Sequence, residues 1–567
     1  MNRARLITIA GIVVFAMILV AFGPAPKQAG HDNVLRLAAT SPPDSLDSAV
    51  SYQAASWNLQ VNVYNGLLTY KKVAGHDGNT LVPDIAEAMP VLTDGGRTLT
   101  FHLRTGVMFG PPAKREVLPS DFKYTIERNA KIPSQGSFYY SVVNGFDKVS
   151  KSKKGSISGI DADDQARTLV FHLSRPDATF LNVLAMPFSF VVPKGLPLRD
   201  MSQSGFSSAT GPYMFTEYDP SRRIVMKRNP SFKQWTKDSP DGHVDEIDMQ
   251  LGVSQDNAIT LFTQDKVDVP LTGIPTSKLP WLMNSKEWRP YLHLEETTRT
   301  PYIWMNNTTK PFDNVKVRQA VNWAINRRAL VKLGGGAGVP SSTILPPSMP
   351  GYTGKNLYPK QDLAKAKQLV AESGVDMSKE ITIWCTTAAP APDMAAYLQA
   401  QLEAIGFSAR TRCVDPSAFY QVTGAVATHA QIGFASWGAD FPEGSNFIDV
   451  LFNGKYINPV QPNNMARYRG KDKEIDAANK LMNFDVRAKA WGQLDEEIQA
   501  DAPWAPLSHG IARELVGKRV GDYVYHPVYE MLYMLATVDG SGTPNDKQHE
   551  HEAKMPGSDD NTGGDNS

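Results

Sequence analysis

The chain has 567 residues, too many for one hydrophobic core, so two or three domains are expected. Hydrophobic residues make up 42% and charged residues 20%, an ordinary globular balance. The 58 basic and 58 acidic side chains cancel, which gives no electrostatic basis for binding nucleic acid or an anionic membrane surface.

In chain order, Arg3 and Arg5 come first, then residues 6–22, an apolar run without a charge. This is either a cleaved signal peptide or an uncleaved membrane anchor, with the basic end inside. Each candidate cleavage point is followed by a proline, Pro24 or Pro26, and no cysteine follows the run to carry a lipid. Next, Arg97-Thr98-Leu99-Thr100-Phe101-His102-Leu103 is echoed by Arg167-Thr168-Leu169-Val170-Phe171-His172-Leu173. Apolar and polar residues alternate in both, which predicts two half-buried strands of one sheet with His102 and His172 outward. Val317, Ala320, Val321, Ala324 and Ile325 recur at helical spacing, with Asp313 as the expected cap and Arg327 and Arg328 near the end. A loop is expected at Gly334-Gly335-Gly336-Ala337-Gly338, which lacks the Lys-Ser/Thr ending of a phosphate loop. A further helix is capped by Asp362 and stopped by Gly374.

Residues 381–414 read as strand, helix and strand, a unit that predicts parallel strands. Cys385 and Cys413 fall on its two strands. They are a disulfide candidate if those strands are neighbours; two buried free thiols are the other reading. Residues 540–567 are nearly free of apolar side chains and are expected to be a disordered acidic tail. No Gly-x-Ser-x-Gly elbow and no His-Glu-x-x-His helix occurs, so a hydrolase has no visible machinery. The sequence calls for no cofactor and no metal.

The run Pro311-Phe312-Asp313-Asn314-Val315-Lys316-Val317-Arg318-Gln319-Ala320, ending in Ala324-Ile325-Asn326-Arg327, resembles a hallmark of extracytoplasmic solute-binding protein family 5, the oligopeptide- and dipeptide-binding proteins of peptide ABC importers. Leu81-Val82-Pro83-Asp84-Ile85-Ala86, Thr210-Gly211-Pro212-Tyr213, Lys227-Arg228-Asn229-Pro230 and Ala435-Ser436-Trp437-Gly438-Ala439-Asp440-Phe441-Pro442 are similar to further motifs of that family, in the same order. The resemblance implies an α/β protein with a two-lobed periplasmic-binding-protein-like fold (class II type) and an inserted subdomain in the first lobe. It implies a leader or anchor at 1–33, a discontinuous lobe I base at 34–66, 205–305 and 505–539, an insert at 67–204, and lobe II at 306–504. It further implies a receptor rather than an enzyme: an exported monomer, released or tethered at its N-terminus, that captures a short peptide or other small solute between its lobes and hands it to ABC permease subunits.

A ligand with a free ammonium needs a carboxylate where water is excluded. The resemblance gives that role to Asp440, with Trp437 and Phe441 beside it; the other reading is a turn cap before Pro442. Tyr139, in the run Phe138-Tyr139-Tyr140, is expected either to line the cleft or to pack in a core. Arg412 is a candidate partner for a ligand carboxylate.

Overall fold

The computed structural model describes residues 33–459 and 462–540. The expected leader at 1–33 falls outside this range but for Asn33, and the expected tail but for Gly540. Among the described residues, no helix is long and apolar enough to cross a membrane. The molecule is a two-lobed α/β protein. Its strands divide into sheets that follow the lobes.

The base of lobe I is a five-stranded sheet, in the order Val269–Pro270, Val34–Ala38, Glu246–Gln250, Arg223–Arg228, Tyr213–Asp219. Leu35, Leu37, Ile247, Met249 and Val269 lie buried along it, the inward half of each strand's alternation. The insert carries its own four-stranded antiparallel sheet, Val91–Thr93, Thr98–His102, Thr168–His172, Ile160–Asp163. The two echoing segments are its central neighbours, and Leu99, Phe101, Leu169 and Phe171 fill its core. His102 and His172 sit opposite Thr168 and Thr98, at opposite ends of the ladder. His172 pairs with Asp161 at 3.0 Å, so the two imidazoles have separate surroundings.

Lobe II is built on the five-stranded sheet Ala409–Val414, Ile381–Thr386, Ile432–Gly438, Arg299–Met305, Trp504–Pro506. The first two strands are parallel neighbours joined by the helix Ala391–Glu403. Cys385 is in register with Cys413, and their sulfurs are bonded. Two boundaries differ from the sequence reading, which assigned Arg299–Met305 to the lobe I base and began that base's last segment at 505. Arg299–Met305 pairs along its whole length with Ile432–Gly438, and Trp504–Pro506 pairs with it on the other side. The chain therefore crosses between lobes near 296–299 and again near 506–508. Leu292–Glu296 and Ser508–Leu515 pair antiparallel at this crossing, and Gly338–Pro340 adds a third strand.

The hallmark helix is Val315–Ala324, and its buried face carries Val317, Ala320, Val321 and Ala324. Its cap is Asn314, which accepts from the Lys316 N–H at 2.9 Å, not Asp313. The helix stops before Arg327, which starts the next one and is buried. Its guanidinium donates to the carbonyls of Pro506, Asn322 and Tyr358. Arg318 donates to the Asp501 carbonyl through two nitrogens. These arginines close off backbone carbonyls inside lobe II, and Arg327 opens the next helix where it had been expected near the end of this one. In the glycine-rich loop, Gly335 and Gly336 adopt φ of 94° and 71°, values that disfavour a side chain. The Arg513 guanidinium donates to both their carbonyls.

Candidate functional site

The strand Ile432–Gly438 ends at the cleft. It is held antiparallel to Arg299–Met305, with Trp437 opposite Thr300 and Gly438 opposite Arg299. Beyond it the chain turns through Asp440, Phe441, Pro442 and Glu443 into the helix Ser445–Phe452. Asn446, in the first turn of that helix, fixes the corner. Its side-chain oxygen accepts from the Trp437 indole N–H at 3.1 Å and from the Asp440 backbone N–H at 2.9 Å.

The Asp440 carboxylate points across to lobe I. The Tyr52 hydroxyl, just ahead of the helix Ala54–Gln60, donates to Oδ2 at 2.9 Å. The Tyr139 hydroxyl, in the short helix Ser137–Tyr140 of the insert, donates to the same oxygen. The carboxylate is therefore engaged across the interface by phenols and does not cap its own turn. Asp440 keeps some accessible surface in the cleft, yet protein encloses it, and this desolvation raises its pKa above the ordinary aspartate value. The hydrogen bonds from Tyr139, Tyr52 and Asn446 oppose that rise, and no cationic side chain contributes. Burial and the facing Asp440 push both phenols well above the usual tyrosine range, so they stay protonated as donors. The result is a carboxylate in poor solvent with hydrogen-bond donors but no countercharge, an arrangement suited to receive a cation.

Phe441 anchors the same corner. It is 3% exposed and packs in the apolar core of the insert, with its ring edge-on to Tyr139 at 6.0 Å between centroids. Next to it, Glu443 is buried and pairs with Arg487 at 2.5 Å within lobe II. Its other oxygen accepts from the Asn182 amide of the insert at 2.7 Å, and Asn182 is held by Tyr70 at 2.9 Å. Asp440, Phe441 and Glu443 thus carry three interlobe contacts: hydrogen bonds from phenols, apolar packing, and a hydrogen bond from an amide.

A cavity of about 520 Å³ lies along lobe I, within the size range of small-ligand sites. Its walls include Ala39, Thr40 and Ser41, which follow the first strand, and Ala55, Asn58 and Leu59 of the helix that follows Tyr52. Ile511, Arg513 and Glu514 of the crossing strand close another side.

The structure brings Asp440, Trp437, Phe441 and Tyr139 together and sets Arg412 apart. Arg412 lies exposed on the edge strand Ala409–Val414, with its guanidinium over the Trp384 ring at 4.8 Å. Trp384 is in register with both Arg412 and Gly433. Arg412 is therefore level with a point about 17 Å up the strand from Gly438 and about 10 Å across from it. The sequence reading did not name Tyr52, Asn446, Asn182 or Glu443. Asn446, six residues after Asp440 at a helix start, was the one with a local signal.

The family profile described as bacterial extracellular solute-binding proteins, family 5, matches residues 80–459. Di/tripeptide-binding protein 1 of Pseudomonas aeruginosa is 25% identical over 535 residues, covering 89% of this chain and 94% of the relative. Heme-binding protein A of Haemophilus influenzae is 26% identical, covering 88% and 90%. Among solved structures, a clavulanic acid biosynthesis oligopeptide binding protein 2 superposes with a TM-score of 0.82 at 22% identity, covering 89% of this chain and 95% of its own.

Proposed function

The chain belongs to the bacterial extracellular solute-binding proteins of family 5, and on that premise we propose that it captures short peptides between its lobes and delivers them to an ABC importer. The observation that carries the peptide reading is Asp440: a desolvated carboxylate at the lobe interface, served by two tyrosine hydroxyls and by no cation. A peptide's α-ammonium supplies that missing charge. Trp437 offers a flat wall beside it, and Phe441 with Tyr139 excludes water from the pair. The relative named for di/tripeptides agrees with this reading. Heme, named for another relative, has carboxylates as its ionised groups and so does not supply the cation that Asp440 lacks. In this reading the protein works as an extracytoplasmic monomer, exported or tethered through its N-terminal segment.

The test is calorimetric titration of the full chain with Ala-Ala and with N-acetyl-Ala-Ala, which lacks the ammonium. The free dipeptide is expected to bind, and the acetylated one to bind far more weakly. Asp440→Asn should cost the free dipeptide about 2–5 kcal/mol of affinity, the usual loss when one partner of a buried charge pair is removed. Equal binding of both peptides, or affinity unmoved by Asp440→Asn, would remove Asp440 from this role.

A further inference from the structure

Away from Asp440, three carboxylates gather where the cavity meets the crossing strands. Glu514 lies on Ser508–Leu515, and Glu295 lies on the paired strand Leu292–Glu296, opposite Ala512. Glu530 stands just before Met531 with a left-handed backbone, φ 58°. The Asn58 amide holds that turn by donating to the Tyr529 and Met531 carbonyls at 2.5 and 2.7 Å. Glu514 and Glu530 both line the cavity.

These acids have little to answer their charge. Glu514 keeps some accessible surface in the cavity and Glu530 is exposed, yet protein surrounds Glu514, and the charges acting on it are those of Glu530 and Glu295. Together with burial, these neighbours push its carboxyl up to about 8. Arg299, at the start of the strand Arg299–Met305, counters Glu530. Arg513, next to Glu514 in sequence, commits its guanidinium to the Gly335 and Gly336 carbonyls. The remaining neighbours are Tyr523, Tyr525 and Tyr533, and His293, whose ring lies tilted against that of Tyr523 at 4.4 Å between centroids and is kept neutral by burial. The other cavity walls are largely apolar, including Leu59, Leu271, Ile274 and Met531. Two carboxylates that line one cavity, Glu514 with no side-chain hydrogen bond or ion pair among the described residues, repel each other unless a cation enters. The helix that begins just after Tyr52 also walls the cavity, and at seven residues it is about 10 Å long. A chain gains about 3.3–3.6 Å per extended residue, so two or three residues match that helix in length.

We propose that this cavity is a specificity pocket for a cationic side chain, lined by Glu514 and Glu530, so that the receptor prefers peptides carrying lysine or arginine. The assignment rests on the peptide reading above. It goes further by naming the side-chain class and the residues that select it.

The full chain is titrated with two matched pairs, Ala-Lys-Ala against Ala-norleucine-Ala and Ala-Ala-Lys against Ala-Ala-norleucine. Norleucine keeps the alkyl stem and lacks the ammonium. In at least one pair the lysine peptide is expected to bind about tenfold tighter or more. Glu514→Gln with Glu530→Gln should bring that pair within about twofold. Asp440→Asn should weaken both members and keep their ratio. Norleucine peptides that bind as well as their lysine partners in both pairs would overturn the pocket and leave the peptide reading standing. A lysine preference that survives the double change would also overturn the pocket. Failure of all four peptides to bind would overturn the peptide reading and the pocket with it. The wild-type comparison uses no variant, so it decides the matter even if the double variant does not fold.

Discussion

Asp440 sits between two opposing influences. Desolvation favours its protonated form, and the Tyr52 and Tyr139 hydroxyls favour the carboxylate. Removing a hydroxyl shifts that balance, so Tyr139→Phe should raise the Asp440 pKa further. Only the ionised form pairs with an ammonium. Peptide affinity should therefore fall as pH drops through the Asp440 pKa, and in Tyr139→Phe this fall should begin at higher pH. At neutral pH the same change should cost about 1.5–3 kcal/mol, the range for a hydrogen bond to a charged group. Titrations from pH 5 to 8 check both, and an acid limb unmoved by the substitution would contradict the account. At this scale the sequence was most legible where function lies in one continuous segment. Trp437 to Phe441 could be picked out because they are adjacent. Tyr52 and Asn182 could not, since each meets its partner across more than two hundred residues of chain. Arg412 was named for its chemistry alone, which says nothing about the strand edge it occupies.

Among the elements, local signals read well and pairing partners did not. The Asp362 cap, the Gly374 stop and the strand–helix–strand unit of lobe II all follow from spacing and turn residues. The segment that forms the strand Arg299–Met305 was assigned to the lobe I base, whereas it pairs in the lobe II sheet. Alternation records that one face is buried; it does not record which sheet buries it. The disulfide is an intermediate case: two cysteines on adjacent parallel strands made it a candidate, and their equal register joined them. With a sequence separation of 28 between its cysteines, the crosslink should stabilise lobe II by about 3–4 kcal/mol through the unfolded chain's lost entropy. Replacing both cysteines with serine should lower the denaturant midpoint by a corresponding amount. Retention of the wild-type midpoint would show that the unfolded lobe is already confined there. Phe441 makes a second prediction at this scale. Phe441→Ala leaves a hole in the insert's core at the interface, and such changes cost about 3–5 kcal/mol. Because the lost contact joins the lobes, the loss should appear in ligand affinity and in ligand-induced compaction measured by small-angle scattering. A variant that binds and compacts as the wild type does would deny Phe441 any part in closure.

For the whole molecule, buried ionisable groups set a pH window for stability. His509 and His526 are held down to about 3 by burial. In the native state they stay neutral where the unfolded chain protonates near 6.5. The unfolded state then binds more protons, and stability is lost as pH falls below that value. Glu514 is held up to about 8. It stays protonated where the unfolded chain has already lost that proton, so stability falls as pH rises toward 8. The melting temperature should therefore decline between pH 6.5 and pH 8, and Glu514→Gln should flatten that decline. An unchanged decline would mean that Glu514 ionises freely in the folded protein. The two lobes and the two crossings give this molecule a site that exists only when both halves meet. The family resemblance reached that architecture from the sequence, but the residues that complete the site from lobe I came into view only with the fold.

Native mass spectrometry of the full chain, purified from its own host, tests the central claim most directly. The account predicts a retained population of short peptides, enriched in lysine and arginine, that is lost on Asp440→Ala. Protein that carries no peptide as purified, and takes up none from a peptide library, would contradict it.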